Sequence, residues 1–388
     1  MAVGPRPLRD NPRKLARALG VTRIARLTGL DRTGVEVASA VRPRGHVLQV
    51  TNGKGETEAA AAAGALLEAA ELAAAEAASA DAWGSAAELR ARRGAGAVLS
   101  PRDLEPGGDE GWEGVRLAWR AGRDLASGAP VLVPAHAVHV PPAGGPWLGP
   151  ALVRWTSNGM GASPDPAAAL LHALLEAVER DRLARALPEG FTPGALRRRL
   201  VDPATLARAA PRTAALLRRI EAGRLRAFLL DLTEPEPRLG LGLPRRRRNR
   251  SDLSLPCAAA LLLDVEGGPV PVAAGYACRL GRDAALAAAL LEAAQSRATE
   301  IHGAREDVLD GDRREAEALR GILEAARPVR RAAALPDLRA RTPAAGVRAV
   351  VRRLVRGGLR PVAIELQGPP GVAVTKVVAP GLLLSELL

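Results

Sequence analysis

Three segments of this 388-residue chain share one pattern of apolar and polar positions. In each segment an apolar, strand-like run leads through a glycine-bearing turn into a helix rich in Ala and Leu. The helices carry acid or amide side chains in pairs three residues apart, which are Glu68/Glu71, Glu176/Glu179 and Glu292/Gln295. Positions i and i+3 share one helix face, so each helix presents two oxygen ligands side by side. Because like charges at this spacing disfavour a helix, their repetition indicates a shared purpose, and polyanion binding through divalent cations is the candidate.

The rest of the pattern predicts helices and strands interspersed along the chain. Helices are expected over 11–19, 56–78, 194–222 and 311–357, with breaks at Pro203 and Pro211 inside the third. Strands are expected at 22–24, 35–41, 47–50, 131–133, 225–232, 258–265, 270–274, 361–365 and 372–378. No linker rich in Ser or Gly divides the chain, so we expect one α+β unit with mixed sheets, packed helices and internal strand–turn–helix repeats. Its predicted parts are an N-terminal segment 1–19 and a main unit 20–388, with a loop insertion near 236–254 and an Arg- and Pro-rich helical segment 311–357.

Composition narrows the class of protein. Hydrophobic residues at 47% and charged residues at 25% are typical of a globular chain, and no apolar run is long enough to span a bilayer. The first residues, MAVGPRPLRDNPRK, lack the apolar core of a signal peptide. Cys257 and Cys278 are the only cysteines, which excludes a disulfide framework or a zinc site built from cysteines. We therefore expect a cytoplasmic enzyme or binding protein without a membrane segment.

The formal net charge of +13 comes almost entirely from arginine, since the only lysines are Lys14, Lys54 and Lys376. Ala, Gly and Pro are also abundant, which indicates a coding bias rather than selection for a cationic surface. The densest basic run, 245–250, is either a surface for phosphate or an acidic peptide or, as we favour, a solvated loop tip. Aromatic residues make up only 2% of the chain, so stacking platforms are scarce and nucleic-acid binding is disfavoured.

Two glycine-rich turns are predicted before the first two helices, TNGKG at 51–55 and TSNGMG at 156–161. Glycines permit close backbone approach, free amides at a helix start attract phosphate oxygens, and Lys54 adds a point charge. The spacings of a P-loop and of a Rossmann fingerprint are absent. Taken alone, each turn is either a phosphate site or, more commonly, a structural turn.

Together these motifs carry a resemblance to the YcaO family. The stretches GVTRIARLTGLDRTGVEVASAVRP and VTNGKGETEAAAAAGALLEAAE resemble the N-terminal half of that family. TSNGMGASPDPAAALLHALLEAVERD resembles its central signature, and GYACRLGRDAALAAALLEAAQSRATEIHGARED resembles its third block. VPAHAVHV and VAVTKVVAPGL also fit, so the resemblance runs in order over about residues 20–383.

The resemblance implies a fold peculiar to the family, ATP and Mg2+ as cofactors, and phosphorylation of a peptide backbone amide on its oxygen. A neighbouring Cys, Ser or Thr side chain, or an external sulfide, then attacks the activated carbon and gives an azoline or a thioamide. The implied partners are a precursor peptide or protein substrate and a TfuA-like or leader-binding protein. A homodimer is common among relatives.

The resemblance also assigns roles to residues by position. The metal-holding acids correspond to Glu68, Glu71, Glu176, Glu179 and Glu292. The nucleotide contacts correspond to Lys54, Ser157, Asn158, Arg180, Arg297 and Arg305. The catalytic side chains correspond to Glu179, Arg180 and Gln295.

The chain departs from the family pattern at three positions. Leu72 stands where an Arg or a small polar residue often follows the second acid, and Pro164 and Ala168 stand where an Asn and then a Glu are common. These departures leave a second hypothesis open, a catalytically degenerate scaffold of the same fold that binds a peptide or a partner enzyme. Azoline-forming members often end in a proline-rich tail, whereas this sequence ends in LSELL, so the thioamide type is favoured.

The candidate residues also have structural alternatives. If they do not hold a metal, Glu68 and Glu71 form the solvated face of an Ala-rich helix. Residues 179–182 would then form an intrahelical salt-bridge cluster.

Near the other two helices, Gln295 and Arg297 alternatively brace the turn that follows them. His172 is expected to be a packed core histidine rather than a base, and Cys278 a buried, inert thiol.

Overall fold

The structure, a computed structural model, describes residues 12–140, 145–187, 190, 192–233, 253–304 and 313–383. Within these ranges the helices are α1 Pro12–Ala18, α2 Glu58–Glu76, α3 Ala86–Arg93, α4 Pro101–Leu104, α5 Pro166–Ala186, α6 Pro193–Arg199, α7 Leu206–Ala209, α8 Pro211–Ala222, α9 Arg282–His302, α10 Arg313–Ala325 and α11 Pro343–Arg356. The strands are β1 Arg23–Arg26, β2 Glu36–Val41, β3 Val50–Gly55, β4 Ala82–Gly84, β5 Leu117–Asp124, β6 Pro130–Pro134, β7 Met160–Ser163, β8 Leu225–Asp231, β9 Cys257–Asp264, β10 Val272–Cys278, β11 Val362–Leu366 and β12 Ala373–Val378. None of the helices in these ranges combines the length and the apolar character that a bilayer crossing requires.

The strands form three sheets. The first has the order β1-β2-β3, the second β10-β9-β8, and the third β4-β5-β11-β12-β7 with β6 paired to β5. Neighbouring named strands pair antiparallel throughout the described residues, so the sheets are antiparallel rather than mixed. The predicted α+β class on two or more sheets is confirmed.

One long helix packs across each sheet. Helix α2 lies on β3 and β2, α5 lies on β7 and β12, and α9 lies on β10 and β9. Their buried faces consist mainly of Ala and Leu, and the small Ala side chains let each axis approach its sheet. We call β3 with α2, β7 with α5, and β10 with α9 the three units. They are the internal repeat that the sequence predicts.

A glycine in the strand of each unit makes the close approach possible. A Cβ atom on Gly53 would lie 2.0 Å from a backbone oxygen of α2, and one on Gly161 would lie 2.2 Å from a backbone oxygen of α5. On Gly275 the Cβ atom would lie 2.1 Å from a backbone nitrogen of α9. Any larger residue would therefore push the helix off the strand. The oxygens that face Gly53 and Gly161 belong to residues seven positions before the first acid of the helix, whereas the oxygen that faces Gly275 belongs to Ala289, three positions before Glu292 and so about one turn later.

The glycine-rich segment 51–55 is a strand, not the turn that we predicted. It belongs to β3, which pairs with β2 along its whole length, and the predicted strand at 47–50 is therefore misplaced. In the second unit Gly161 likewise lies inside β7, while the turn before it contains Gly159 at a φ of 79°. Gly53 and Gly161 allow a helix to pack on the strand, so their presence in a glycine-rich segment did not indicate a turn at these two positions.

Most other predicted elements are present, with shifts of a few residues. Pro203 lies in a turn between α6 and α7 and Pro211 begins α8, which confirms both predicted breaks. The sequence missed α3, α4 and β4, which are short. The basic run 245–250, most of the expected loop insertion and the last five residues lie outside the described residues. The predicted division of the chain at residues 19 and 20 stays a prediction.

Candidate active site

The three units enclose a cavity of about 710 Å³. The predicted site residues in its walls are Lys54, Glu68, Glu71, Ser157, Glu176, Glu179, Arg180, Glu292 and Gln295. They come from β3, from the three long helices and from the turn before β7, so segments more than 200 residues apart in sequence meet here. The solvated-face alternative for Glu68 and Glu71 is thus wrong, because both face this cavity.

The acids also connect the units in a ring. Glu71 of the first unit accepts a hydrogen bond of 2.8 Å from the amide of Ala162 in the second. Glu179 of the second accepts one of 2.9 Å from the amide of Cys278 in the third. Glu292 of the third is paired at 2.9 Å with Lys54 of the first, which completes the ring. Each helix therefore holds the strand of the next unit in place.

Burial next to like charges makes the acid cluster electrostatically costly. It raises the pKa of Glu71 well above its ordinary value, with Glu176 and Glu68 adding to the effect. Burial also raises the pKa of Glu176 and of Glu179, although Arg180 opposes both shifts. Burial acts in the same sense on Glu292, but Lys54 together with Arg180 and Arg279 outweighs it, so the pKa of Glu292 is lowered. A divalent cation facing Glu71, Glu176 and Glu179 would relieve the repulsion.

The donor set suits Mg2+ shared with a polyphosphate. The cavity offers carboxylate and amide oxygens, the hard ligands that Mg2+ prefers. Across the described ranges, no group of three or more His, Cys, Asp or Glu side chains is arranged to hold a metal ion by itself. Because Mg2+ is usually bound through one or two carboxylates together with phosphate oxygens, this arrangement fits a joint metal–phosphate site rather than an all-protein cage.

Cationic side chains face the acids across the cavity. Arg180 lies 3.8 Å from Glu176 and 3.6 Å from Glu179, so the intrahelical ion pairs considered above are present. The Arg180 Nε atom is buried and has no hydrogen-bond partner among the described residues. Arg279 lines the same cavity. A phosphate oxygen would satisfy the orphaned Nε and separate Arg180 from its loose carboxylate contacts.

Two of the residues assigned to the nucleotide do not line the cavity, and a third cannot be placed. Arg297 is buried and forms ion pairs with Asp31 at 3.0 Å and Asp264 at 2.7 Å, so it links these two acids and neither lines the cavity nor braces the turn that follows it. Asn158 faces a smaller neighbouring cavity of about 90 Å³. Arg305 lies outside the described residues.

The structure adds residues that the sequence argument missed. His172 is exposed to the cavity rather than packed in the core, and it stands four residues before Glu176 on the same helix face. That spacing was the signal that could have identified it. Because the ring lies inside the cavity it is desolvated, and this desolvation together with the charges of Arg279 and Lys54 lowers the pKa of His172 well below its ordinary value, which favours the neutral ring.

Lys376 is the second addition. It is buried in β12, and its Nζ atom donates hydrogen bonds of 2.6 Å to the Thr156 carbonyl and 2.7 Å to the Asn158 carbonyl. Burial lowers its pKa to about 8, while Glu176 and Glu71 oppose the shift. Lys376 therefore fixes the turn that carries Ser157 into the cavity.

Cys278 matches its prediction as a buried thiol, and its contribution to the cavity is the backbone amide bound by Glu179.

Comparison with known proteins agrees with this geometry. A family model described as YcaO cyclodehydratase, ATP- and Mg2+-binding, matches residues 52–383. An uncharacterised protein encoded in the tfuA 3′ region of Rhizobium leguminosarum bv. trifolii is 31% identical over 298 residues. That match covers 75% of this chain and 65% of the rhizobial protein.

Two solved structures share the fold. A heterocyclase in complex with substrate and cofactor matches with a TM-score of 0.72 and 19% identity, over 97% of this chain and 52% of that one. The YcaO protein of Methanopyrus kandleri bound with AMPPCP and Mg2+ matches with a TM-score of 0.67 and 22% identity, over 97% and 89% of the two chains. This chain thus spans about two thirds of the rhizobial relative and half of the heterocyclase. Since the family model covers most of its length, this chain belongs to the YcaO family, which is described as binding ATP and Mg2+.

Proposed function

We propose that this chain phosphorylates a backbone amide of a peptide or protein at the expense of ATP. In the first step the amide oxygen bonds to the γ-phosphorus of ATP while the bond to the β-phosphate oxygen breaks and ADP leaves. In the second step a nucleophile attacks the amide carbon and inorganic phosphate departs with the original oxygen. A neighbouring Cys, Ser or Thr side chain would give an azoline, and external sulfide would give a thioamide.

The observation that carries this proposal is the convergence of five glutamates with Lys54, Arg180 and Arg279 on one cavity. An amide oxygen is a weak nucleophile, so the reaction depends on positioning and on neutralising the charge of the phosphates. Bound Mg2+ would supply that neutralisation between the carboxylates and the phosphate oxygens. Lys54, Arg180 and Gln295 all line this cavity, which supports phosphate contacts for the first two and an orienting role for Gln295 from the third helix.

Thioamide formation with a TfuA-like partner is the finer form of the proposal. The support is the rhizobial relative, which is encoded beside tfuA and is 31% identical to this chain. The substrate in this form of the proposal is a peptide or protein, because the group to be converted into a thioamide is a backbone amide.

Calorimetric titration with AMPPNP and Mg2+ tests the site. We expect the Glu179→Gln variant to bind at least about tenfold more weakly than the wild type, because one negative ligand is lost from the metal–phosphate site. The matched control is Glu58→Gln, which removes an exposed carboxylate from the first turn of α2 and should leave the affinity unchanged.

Unchanged affinity in a folded Glu179→Gln variant would reject the assignment of this site. Absence of any binding isotherm in the wild type would instead favour the degenerate scaffold. Neither Pro164 nor Ala168, which motivate that rival, lies in the wall of the cavity. The five glutamates of the cavity wall are thus present even though Pro164 and Ala168 differ from the family pattern, which favours an active enzyme over the degenerate scaffold.

A further inference from the structure

The nucleotide cavity does not have room for both substrates of the proposed reaction. Its volume of about 710 Å³ lies within the range of roughly 300–1,000 Å³ that holds one small-molecule ligand. An extended peptide must therefore contact a surface outside this cavity, and that surface must lie beside it.

A second, open groove of about 650 Å³ is the candidate for this surface. Its walls are formed mainly by Glu105, Trp112, His136, Val153, Arg154 and Trp155, and we call it the tryptophan groove. The chain has only five Trp, two Phe and one Tyr, so two tryptophans in one groove are a marked concentration of aromatic surface. Aromatic side chains supply large contact areas at little entropic cost, which suits peptide recognition.

Trp112 is held in place by the glycine-rich loop beneath it. A Cβ atom on Gly108 would lie 2.2 Å from the Trp112 ring, so the ring rests directly on the backbone of residue 108. The ring is partly exposed and forms one wall of the groove. The local sequence thus keeps this wall flat and in a defined position.

His136 supplies a polar group without a partner. The residue is 7% exposed and lines the groove, yet its ring forms no hydrogen bond with any described residue. A backbone amide or carbonyl of a bound peptide would satisfy it.

The groove is connected to the nucleotide cavity through one chain segment, residues 153–158. Val153 and Arg154 line both the tryptophan groove and the smaller cavity that contains Asn158 and Lys376. Ser157, within the same chain segment, lines the nucleotide cavity. Because Lys376 holds the carbonyls on either side of Ser157, one fixed segment connects the two sites.

We propose that the tryptophan groove binds the acceptor peptide in an extended conformation, with an apolar or aromatic side chain against Trp112 and Trp155 and a backbone group on His136. This inference rests on the proposed function, since it names the surface for the second substrate of that reaction.

Selection of peptides tests the proposal. Phage-displayed random dodecapeptides are selected on the wild-type protein saturated with AMPPNP and Mg2+, and the enriched sequences are synthesised with a fluorescein label. Anisotropy titrations then compare the wild type with Trp112→Ala, Trp112→Phe and Trp83→Ala. Trp83 is the matched control, because it is 45% exposed on β4 and does not line the groove.

We expect Trp112→Ala to weaken peptide binding at least about tenfold, and we expect Trp112→Phe and Trp83→Ala to stay within about threefold of the wild type. Circular dichroism establishes that each variant is folded. Failure to enrich any peptide, or equal affinity of the enriched peptides for Trp112→Ala and wild type, overturns the proposal. A parallel AMPPNP titration separates the two claims. If the wild type does not bind AMPPNP, the proposed function is rejected. The difference in peptide affinity between Trp112→Ala and the wild type tests the groove separately.

Discussion

Arg180 and Arg297, which the resemblance assigns to the nucleotide alike, have different surroundings. Arg180 has a buried Nε without a partner and faces the nucleotide cavity. Arg297 is buried among Asp31, Asp264 and the carbonyl of Val270 and does not reach the cavity. The first is thus available for a ligand, and the second stabilises the contact between the loop that carries Asp31 and the second sheet.

Replacing each arginine with Met should separate the two roles. Arg297→Met leaves the buried Asp31 without its arginine and removes one of the two arginines paired with the buried Asp264, which keeps Arg32, so we expect the free energy of unfolding to fall by about 3–5 kcal/mol. Arg180→Met should change that free energy by less than about 1 kcal/mol and weaken AMPPNP–Mg2+ binding at least about tenfold. Urea denaturation and calorimetric titration measure the two quantities. The reverse pattern, with Arg297→Met stable and defective in nucleotide binding, would restore the assignment that the resemblance gave.

The difference between these arginines could not be read from the sequence. The partners of Arg297 are 266 and 33 residues away along the chain, and no local pattern brings them together. His172 is a different case, because its spacing of four residues from Glu176 places it on the acid face of a predicted helix. Its apolar neighbours in sequence led us to place it in the core.

At the level of elements, the contact between strand glycine and helix sets how closely each acid-bearing helix packs on its strand. Periodicity predicted the three long helices and the face that carries their acids. It did not predict β3, because Gly53 and Gly55 are typical of turns and only the packing of α2 explains them in a strand. The short elements α3, α4 and β4 carry too few residues for a period to be recognised.

Adding one methyl group tests this contact. Gly161→Ala places a Cβ atom 2.2 Å from the backbone of α5, so we expect the free energy of unfolding to fall by about 3 kcal/mol. The control is Gly321→Ala in α10, where a Cβ atom meets nothing within 4 Å. It should stabilise the protein by about 0.5–1 kcal/mol, since Ala is the better helix former. Equal effects of the two substitutions in thermal denaturation would contradict the role given to Gly161.

At the scale of the whole molecule, the ring of hydrogen bonds makes the cavity a joint property of the three units. Glu71, Glu179 and Glu292 each connect one unit to the next, and a ligand in the cavity touches all three. The overall α+β class and the convergence of the acids were predictable from the repeated motif. The closed ring of hydrogen bonds could not be predicted, because the same three acid-bearing helices could equally have formed three separate sites.

A ligand that bridges the units should therefore stabilise the chain as one cooperative structure. At a concentration of 100 times its dissociation constant, AMPPNP with Mg2+ should add about 2.7 kcal/mol to the free energy of unfolding. We expect one transition that shifts equally by circular dichroism and by tryptophan fluorescence, although every Trp lies between residues 83 and 155. EDTA should abolish the shift. A shift seen by only one probe would show that the units unfold independently.

The ring also constrains how such a molecule could have arisen. In a single strand–helix unit, the acid that takes part in the ring would have no hydrogen-bond partner, because that partner lies on the strand of a different unit. If the three segments descend from one by duplication, the ancestral peptide had no binding site until three copies associated about a common axis. Fusion would then have turned a trimeric assembly into one chain and freed the copies to diverge, as the one-turn offset of Gly275 and the exchange of an acid for Gln295 illustrate.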